Sequence, residues 1–166
     1  MIRQVEGDIL LTNAAAIAHG VAPSDHFNSG LALALREQFP AMAKDFRHFC
    51  AQNHPHPGTV WTWSGTGPDG HARTIVNLMT QEPSDGPGGL PGKAKTTHVN
   101  HALKELADLV RKNGYKSLSL PRLATGVGGL AWTDVLPLIE KHLGGLGIPV
   151  ILYTTFHAGQ KADEGL

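Results

Sequence analysis

The stretch PRLATGVGGLAW, Pro121 to Trp132, follows the short apolar run SLSL and precedes a segment patterned as a helix. It carries three glycines in four residues, Gly126 to Gly129. Glycine permits positive φ and lets backbone N–H groups approach a ligand with no Cβ in the way. A helix starting just beyond adds the positive end of its dipole. The stretch therefore reads in two ways, as a plain tight turn or as a loop that holds a phosphate. It is no Walker loop, because no Gly-Lys-Ser/Thr follows, and it lacks the spacing of a dinucleotide-binding fingerprint.

The surrounding chain decides which elements this stretch joins. Apolar runs at Ile2–Val5 and Ala14–Val21 predict strands, as do TVWTWSG, ARTIVNLMT, SLSLP and PVILYTT. Helices are predicted over Ser29–Gln38 and Ala41–Gln52, with Pro40 between them. The clearest helix carries Val99, Leu103, Leu106 and Val110 on one face and stops at Gly114. Thr133 is placed to cap a helix over Asp134–Leu143, with Pro137 in its first turn. Strands thus alternate with helices, which predicts an α/β fold, a central, largely parallel sheet covered on both faces. Ligands of such sheets bind at the C-terminal strand ends, where the glycine stretch lies.

Composition narrows the partners. The 166 residues suit one domain, and 41% hydrophobic with 17% charged residues is a globular composition. Fourteen basic residues balance fourteen acidic ones, so no bulk attraction to nucleic acid is expected. An anionic ligand would be held by local backbone amides and a few side chains. No apolar run of about 18 residues predicts a membrane span. The single Cys50 and the N-terminus, which has no signal-peptide pattern, fit a cytoplasmic protein. The polar tail, residues 158–166, is expected to be loose beyond a domain of residues 1–157.

Further polar segments sit at strand ends. HGVAPSDHFNSGLALAL, His19 to Leu35, places Ser29 and Gly30 at a helix N-terminus with free amides. Two such loops facing each other would hold the two phosphates of a diphosphate. Asp8, in GDIL after the first strand, either caps a turn or accepts from an exocyclic amine such as that of adenine. Phe156 after the last strand is either core or a platform for a stacked ring. The long segment Gln81–Ala94 carries Glu82, Asp85 and Lys93, either a solvated loop or one that closes over a ligand. His98 and His101 share a helix face, but nothing with ligand spacing joins them, so no metal is expected.

Taken in order, GDIL, AIAHGV, NSGLALALREQFP and LPRLATGVGGLAW resemble the macrodomain family, from about Val5 to Phe156. The similar branch holds the terminal ADP-ribose protein glycohydrolase, the yeast ADP-ribose 1''-phosphate phosphatase and antitoxins that remove ADP-ribose from DNA. The resemblance implies a three-layer α/β/α macrodomain with a mixed sheet. It also implies a monomer that needs no cofactor and binds ADP-ribose or an ADP-ribosylated protein or nucleic acid. Asp8 and Ile9 would meet the adenine, and Ser29, Gly30 and Leu31 would form the first phosphate loop, beside Asn28. Thr125, Gly126, Val127, Gly128 and Gly129 would form the second, with Phe156 at the adenosine end. His19 matches the histidine that the phosphatase uses near the distal ribose, with Asp25 placed to assist it.

The departures are equally specific. Where the glycohydrolases carry a catalytic lysine this sequence has Gln81, and Gly128 stands where the protein glycohydrolase has its loop aspartate. Two functions stay open from the sequence: a hydrolase acting at the distal ribose, and a reader that binds ADP-ribose without chemistry.

Overall fold

The computed structural model describes residues 1–83 and 91–166, so Asp85 lies outside the described residues. The strands are β1 (Ile2–Gly7), β2 (Ala16–Val21), β3 (Val60–Thr66), β4 (Ala72–Met79), β5 (Leu118–Pro121) and β6 (Val150–Phe156). The helices are α1 (Gly30–Gln38), α2 (Pro40–Asn53), α3 (Thr96–Asn113) and α4 (Trp132–Leu143), with a 3-10 turn at Ile9–Leu11. The strand order is β1-β6-β5-β2-β4-β3, parallel throughout except for β3, which pairs antiparallel with β4 at one edge. The predicted mixed, largely parallel sheet is what forms.

Alternation along each strand sorts the core into two layers. Ala16 and Ala18, Val76 and Leu78, and Leu118 and Leu120 face one side. There they meet Val99, Leu103 and Leu106 of α3 and Val135 and Ile139 of α4. The opposite phase carries Val21, Ile75 and Met79 into contact with Leu35, Met42 and Phe46 of α1 and α2. Trp61 and Trp63 of β3 pack on this side too, against Phe46, Phe49 and Phe39. The other half of the same face, with Ile17, Ile151 and Tyr153, is met by the helices only through Leu31 of α1 and forms a smaller cluster with Val5, Ile9 and Ala162. This incomplete roof is what leaves room for a ligand.

Three expectations need correction. The second strand begins at Ala16 rather than Ala14. The fourth helix starts one turn's fraction earlier, at Trp132 with Ala131 as its cap, so Thr133 caps nothing and Pro137 lies inside the helix. Asp134 N and Val135 N both donate to Ala131 O, which draws Trp132 and Thr133 into the first turn. Finally, residues 158–166, expected to be loose, dock on the rest of the chain through two side chains. Ala162 and Glu164 are buried, and Glu164 accepts hydrogen bonds from Thr12 and Asn13 in the loop before β2 and from Tyr153 of β6.

Candidate functional site

A cleft runs across the C-terminal ends of the parallel strands in two connected compartments. One encloses about 480 Å³ between Ile9, Leu10, Ala34, Tyr153 and Phe156. The other encloses about 220 Å³ and reaches His19, Asp25, Gln81, Arg122, Gly126 and Gly128. Gly30, Leu31 and Pro121 line both. The larger compartment is almost wholly apolar and the smaller one carries a larger share of polar surface, so the cleft suits a ligand with a flat ring at one end and charge beyond it.

The apolar compartment ends at Phe156, a residue 61% exposed. An aromatic ring left in water beside a cavity is a platform for stacking rather than core. Ile9 lines the floor and is buried. Asp8 lies between the lining residues Gly7 and Ile9. Its Oδ1 accepts from Leu10 N at 3.0 Å and its Oδ2 from Gly159 N at 2.9 Å. It therefore caps the 3-10 turn, as one reading of the sequence had it, while each oxygen keeps a second lone pair for a ligand donor.

At the middle of the cleft two sets of backbone donors face each other. Ser29 takes the extended conformation of an N-cap, and its side chain makes no capping bond. Leu33 N donates to Ser29 O, the first bond of α1, so the preceding amides of Gly30, Leu31 and Ala32 have no helical acceptor. Gly30 has φ +59 and open space where a Cβ would stand. Across from it, Gly129 N donates to Gly126 O and Leu130 N to Ala124 O, which closes the second loop. Among the described residues the amides of Gly126, Val127 and Gly128 have no protein acceptor. Ala124 is held at φ +62, an unusual conformation for alanine. Thr125 donates its hydroxyl to Arg122 O. Arg122 in turn lies 5.1 Å from the centre of the Trp132 ring, a cation resting on the first residue of α4.

The glycines of this loop do different work. Gly129 takes φ +76 and serves the turn. Gly128 has no positive φ, but a Cβ there would stand 2.6 Å from Ala124 O, so it is needed for close approach. A Cβ at Gly126 would meet nothing within 4 Å, and Gly126 lines the cleft.

The polar compartment closes on His19, which is 2% exposed. His19 and Asn77 are register partners on β2 and β4, and His19 Nε2 lies 2.7 Å from Asn77 Oδ1. Asn77 Nδ2 points to Trp61 O at 3.4 Å, which fixes the amide so that Oδ1 faces the ring. An amide oxygen only accepts, so Nε2 carries the proton and Nδ1 of the neutral ring keeps its lone pair. Burial lowers the His19 pKa, opposed by the Asn77 hydrogen bond and the charge of Asp25. Asp25 itself accepts from Ala22 N at 3.0 Å and Phe27 N at 2.8 Å, holding the loop in which Ser24 and Phe27 take positive φ. Asn28 lies in the loop just before α1, its Oδ1 accepting from Arg36 of that helix at 2.5 Å.

Gln81 lines the same compartment and donates its side-chain amide to Gly92 O at 3.0 Å. A bridge between Gln81 and Ala94, with Ala94 N donating to Gly128 O, ties both ends of this loop to the second glycine loop. Glu82 faces away from the cleft lining, held by Lys95 at 2.9 Å and His98 at 3.0 Å, and these two hydrogen bonds lower its pKa. Lys93 is exposed. Asn77, Tyr153 and Pro121 were not singled out from the sequence as site residues, and Gln81 was named there only as the residue standing where the glycohydrolases carry a lysine. Asn77 alone had a local signal, a lone polar residue inside the buried run IVNLM.

The chain matches the model of the Macro domain over residues 14–139. It is 27% identical over 154 residues to the DNA ADP-ribosyl glycohydrolase of Thermus aquaticus, covering 92% of this chain and 41% of that protein. The chain spans less than half the length of the curated relatives it matches. The solved macrodomain of Thermus aquaticus DarG superposes with a TM-score of 0.79 at 26% identity, covering 93% of this chain and 98% of that one. Thermosipho africanus DarTG, solved in complex with ADP-ribose, superposes with a TM-score of 0.79 at 23% identity, over 96% of this chain and 42% of that one.

Proposed function

This chain belongs to the Macro domain family, and from that premise we propose that it binds ADP-ribose and hydrolyses a bond at the distal ribose. The adenine stacks on Phe156 in the apolar compartment, with its amine toward Asp8. The diphosphate lies between the first amides of α1 and the free amides of Gly126, Val127 and Gly128. The distal ribose then occupies the polar compartment before His19. The relative solved with ADP-ribose and the DNA ADP-ribosyl glycohydrolases support the ligand class.

The observation that carries the chemistry is the fixed tautomer of His19. Its Nδ1 is a bare lone pair on a ring kept neutral by burial, in a compartment at the end of the cleft. It takes a proton from a water that attacks either C1'' of the distal ribose, breaking its bond to the acceptor, or the phosphorus of the 1''-phosphate, breaking its bond to the ribose oxygen, and the imidazolium returns the proton to the departing group. Asp25 holds the loop beside the ring rather than moving a proton. The substrates of this class are ADP-ribose 1''-phosphate and ADP-ribosylated protein or nucleic acid.

A second reading, a reader without turnover, is favoured by Gln81. Its amide is committed to Gly92 O, where the glycohydrolases that the sequence resembles carry a lysine. Calorimetric titration with ADP-ribose, beside turnover of the three substrates, separates the readings. Binding with turnover that His19→Ala removes supports the hydrolase. Binding without turnover of any of them leaves the reader, and no binding overturns both.

A further inference from the structure

Residues beyond β6 run back over the half of the sheet that the helices cover only through Leu31 of α1. Asp8 N donates to Gln160 O at 2.7 Å, and Gly159 N returns a bond to Asp8 Oδ2 at 2.9 Å. Ala162 joins the apolar cluster of Val5, Ile9, Ile17, Ile151 and Tyr153. Further along, the Glu164 carboxylate is 7% exposed. It accepts from the Thr12 hydroxyl, from Tyr153 OH at 2.8 Å and from Asn13 N at 2.8 Å. A buried carboxylate is tolerated only when its lone pairs are filled this way, so Glu164 anchors the segment firmly.

Gly7 shows that the docking is built into the fold. Its φ is +152, and a Cβ there would stand 2.8 Å from Gln160 O and 3.0 Å from the Ala162 Cβ. A side chain at the end of β1 would lift the segment off the sheet.

We propose that this C-terminal strap sets the base selectivity of the apolar compartment, with Glu164 as its positioning residue. The proposal rests on the reading of the cleft as an ADP-ribose site. Asp8 is held on one side by its own turn, through Leu10 N, and on the other by the strap, through Gly159 N. Held so, the carboxylate offers acceptors in a fixed direction, which suits an exocyclic amine and repels a carbonyl at the same ring position. Glu164 touches no ligand. It acts through the strap backbone and through Tyr153, whose hydroxyl it holds and whose ring lines the compartment.

The test is calorimetric titration with ADP-ribose and with its inosine counterpart, which carries a carbonyl in place of the amine. The proteins are the full chain, Glu164→Ala, Glu164→Gln and a chain stopped after His157. The full chain is expected to prefer ADP-ribose by about tenfold or more, the value of one hydrogen bond to a charged group. Glu164→Ala and the shortened chain bring that ratio to within about twofold, with little change toward the inosine ligand, and the isosteric Glu164→Gln lies between. A merely structural strap would weaken both ligands alike and keep the ratio, which overturns the proposal. A full chain that binds both ligands equally overturns the strap alone, and one that binds neither removes the ADP-ribose reading as well. Should the shortened chain fail to fold, Glu164→Ala decides by the same ratio.

Discussion

His19 Nε2 lies 2.7 Å from Asn77 Oδ1 across two parallel strands in which the residues are register partners. The pair places a neutral imidazole, with its tautomer chosen, at the polar end of the cleft. Asn77→Asp keeps the shape and replaces the amide oxygen with an anion. An adjacent carboxylate favours the imidazolium, so the His19 pKa rises and the ring holds its proton near neutrality. Turnover at pH 7 is expected to fall by about tenfold and to recover as pH is raised. A pH profile identical to that of the parent protein would show that His19 is not the base.

Burial lowers the His19 pKa below its ordinary 6.5. Below that pH the unfolded chain binds a proton at this residue that the folded chain refuses. Stability is therefore whole above about pH 6.5 and falls as pH drops through the window down to the lowered folded value, by up to about 1.4 kcal/mol per pH unit. Burial also lowers the His142 pKa, so the comparison must be with a variant. Urea unfolding between pH 7.5 and 5 should show a shallower acid loss in His19→Gln, and an equal loss would contradict the burial argument.

Gly126 and Gly128 separate ligand space from packing space. A Cβ at Gly126 would meet nothing within 4 Å and the backbone there needs no glycine, so the fold of Gly126→Glu should survive. Its carboxylate would stand where a phosphate is proposed, and ADP-ribose affinity should drop by about two orders of magnitude. Unchanged affinity in the folded variant would remove the phosphate loop from the account.

Gly128→Ala is expected to behave differently. Its Cβ would press on Ala124 O at 2.6 Å, and backbone cannot swing aside as a side chain does. A loss of about 1–3 kcal/mol in stability should accompany the loss of binding. Thermal unfolding beside titration distinguishes the two variants, and a Gly128→Ala protein as stable as its parent would show that the loop is not closed as described.

Phe156 carries a ring that the fold does not need, since most of it is exposed. Phe156→Ala should leave the melting temperature within a degree or two and weaken ADP-ribose by about tenfold, a typical stacking contribution. A large stability loss with unchanged affinity would make Phe156 core instead.

By itself the sequence determined the α/β order, the strand ends that carry the site and the two amide-rich turns, because these depend on local periodicity and on where glycine stands. NSGLALAL and ATGVGGL announce their turns whatever surrounds them. Only the tertiary structure decided what those turns face. Asn77 reaches His19 across 58 positions of sequence, and only the pairing of β2 with β4 brings them together. Glu164 belongs to a polar tail by composition, yet it is buried because Thr12, Asn13 and Tyr153 converge on it from two separate segments. Gly7 reads as one more turn glycine until Gln160 and Ala162 lie against it. Helix and turn signals travel in a few adjacent residues, whereas a buried hydrogen bond is set by strand order and register, which no short window of sequence contains.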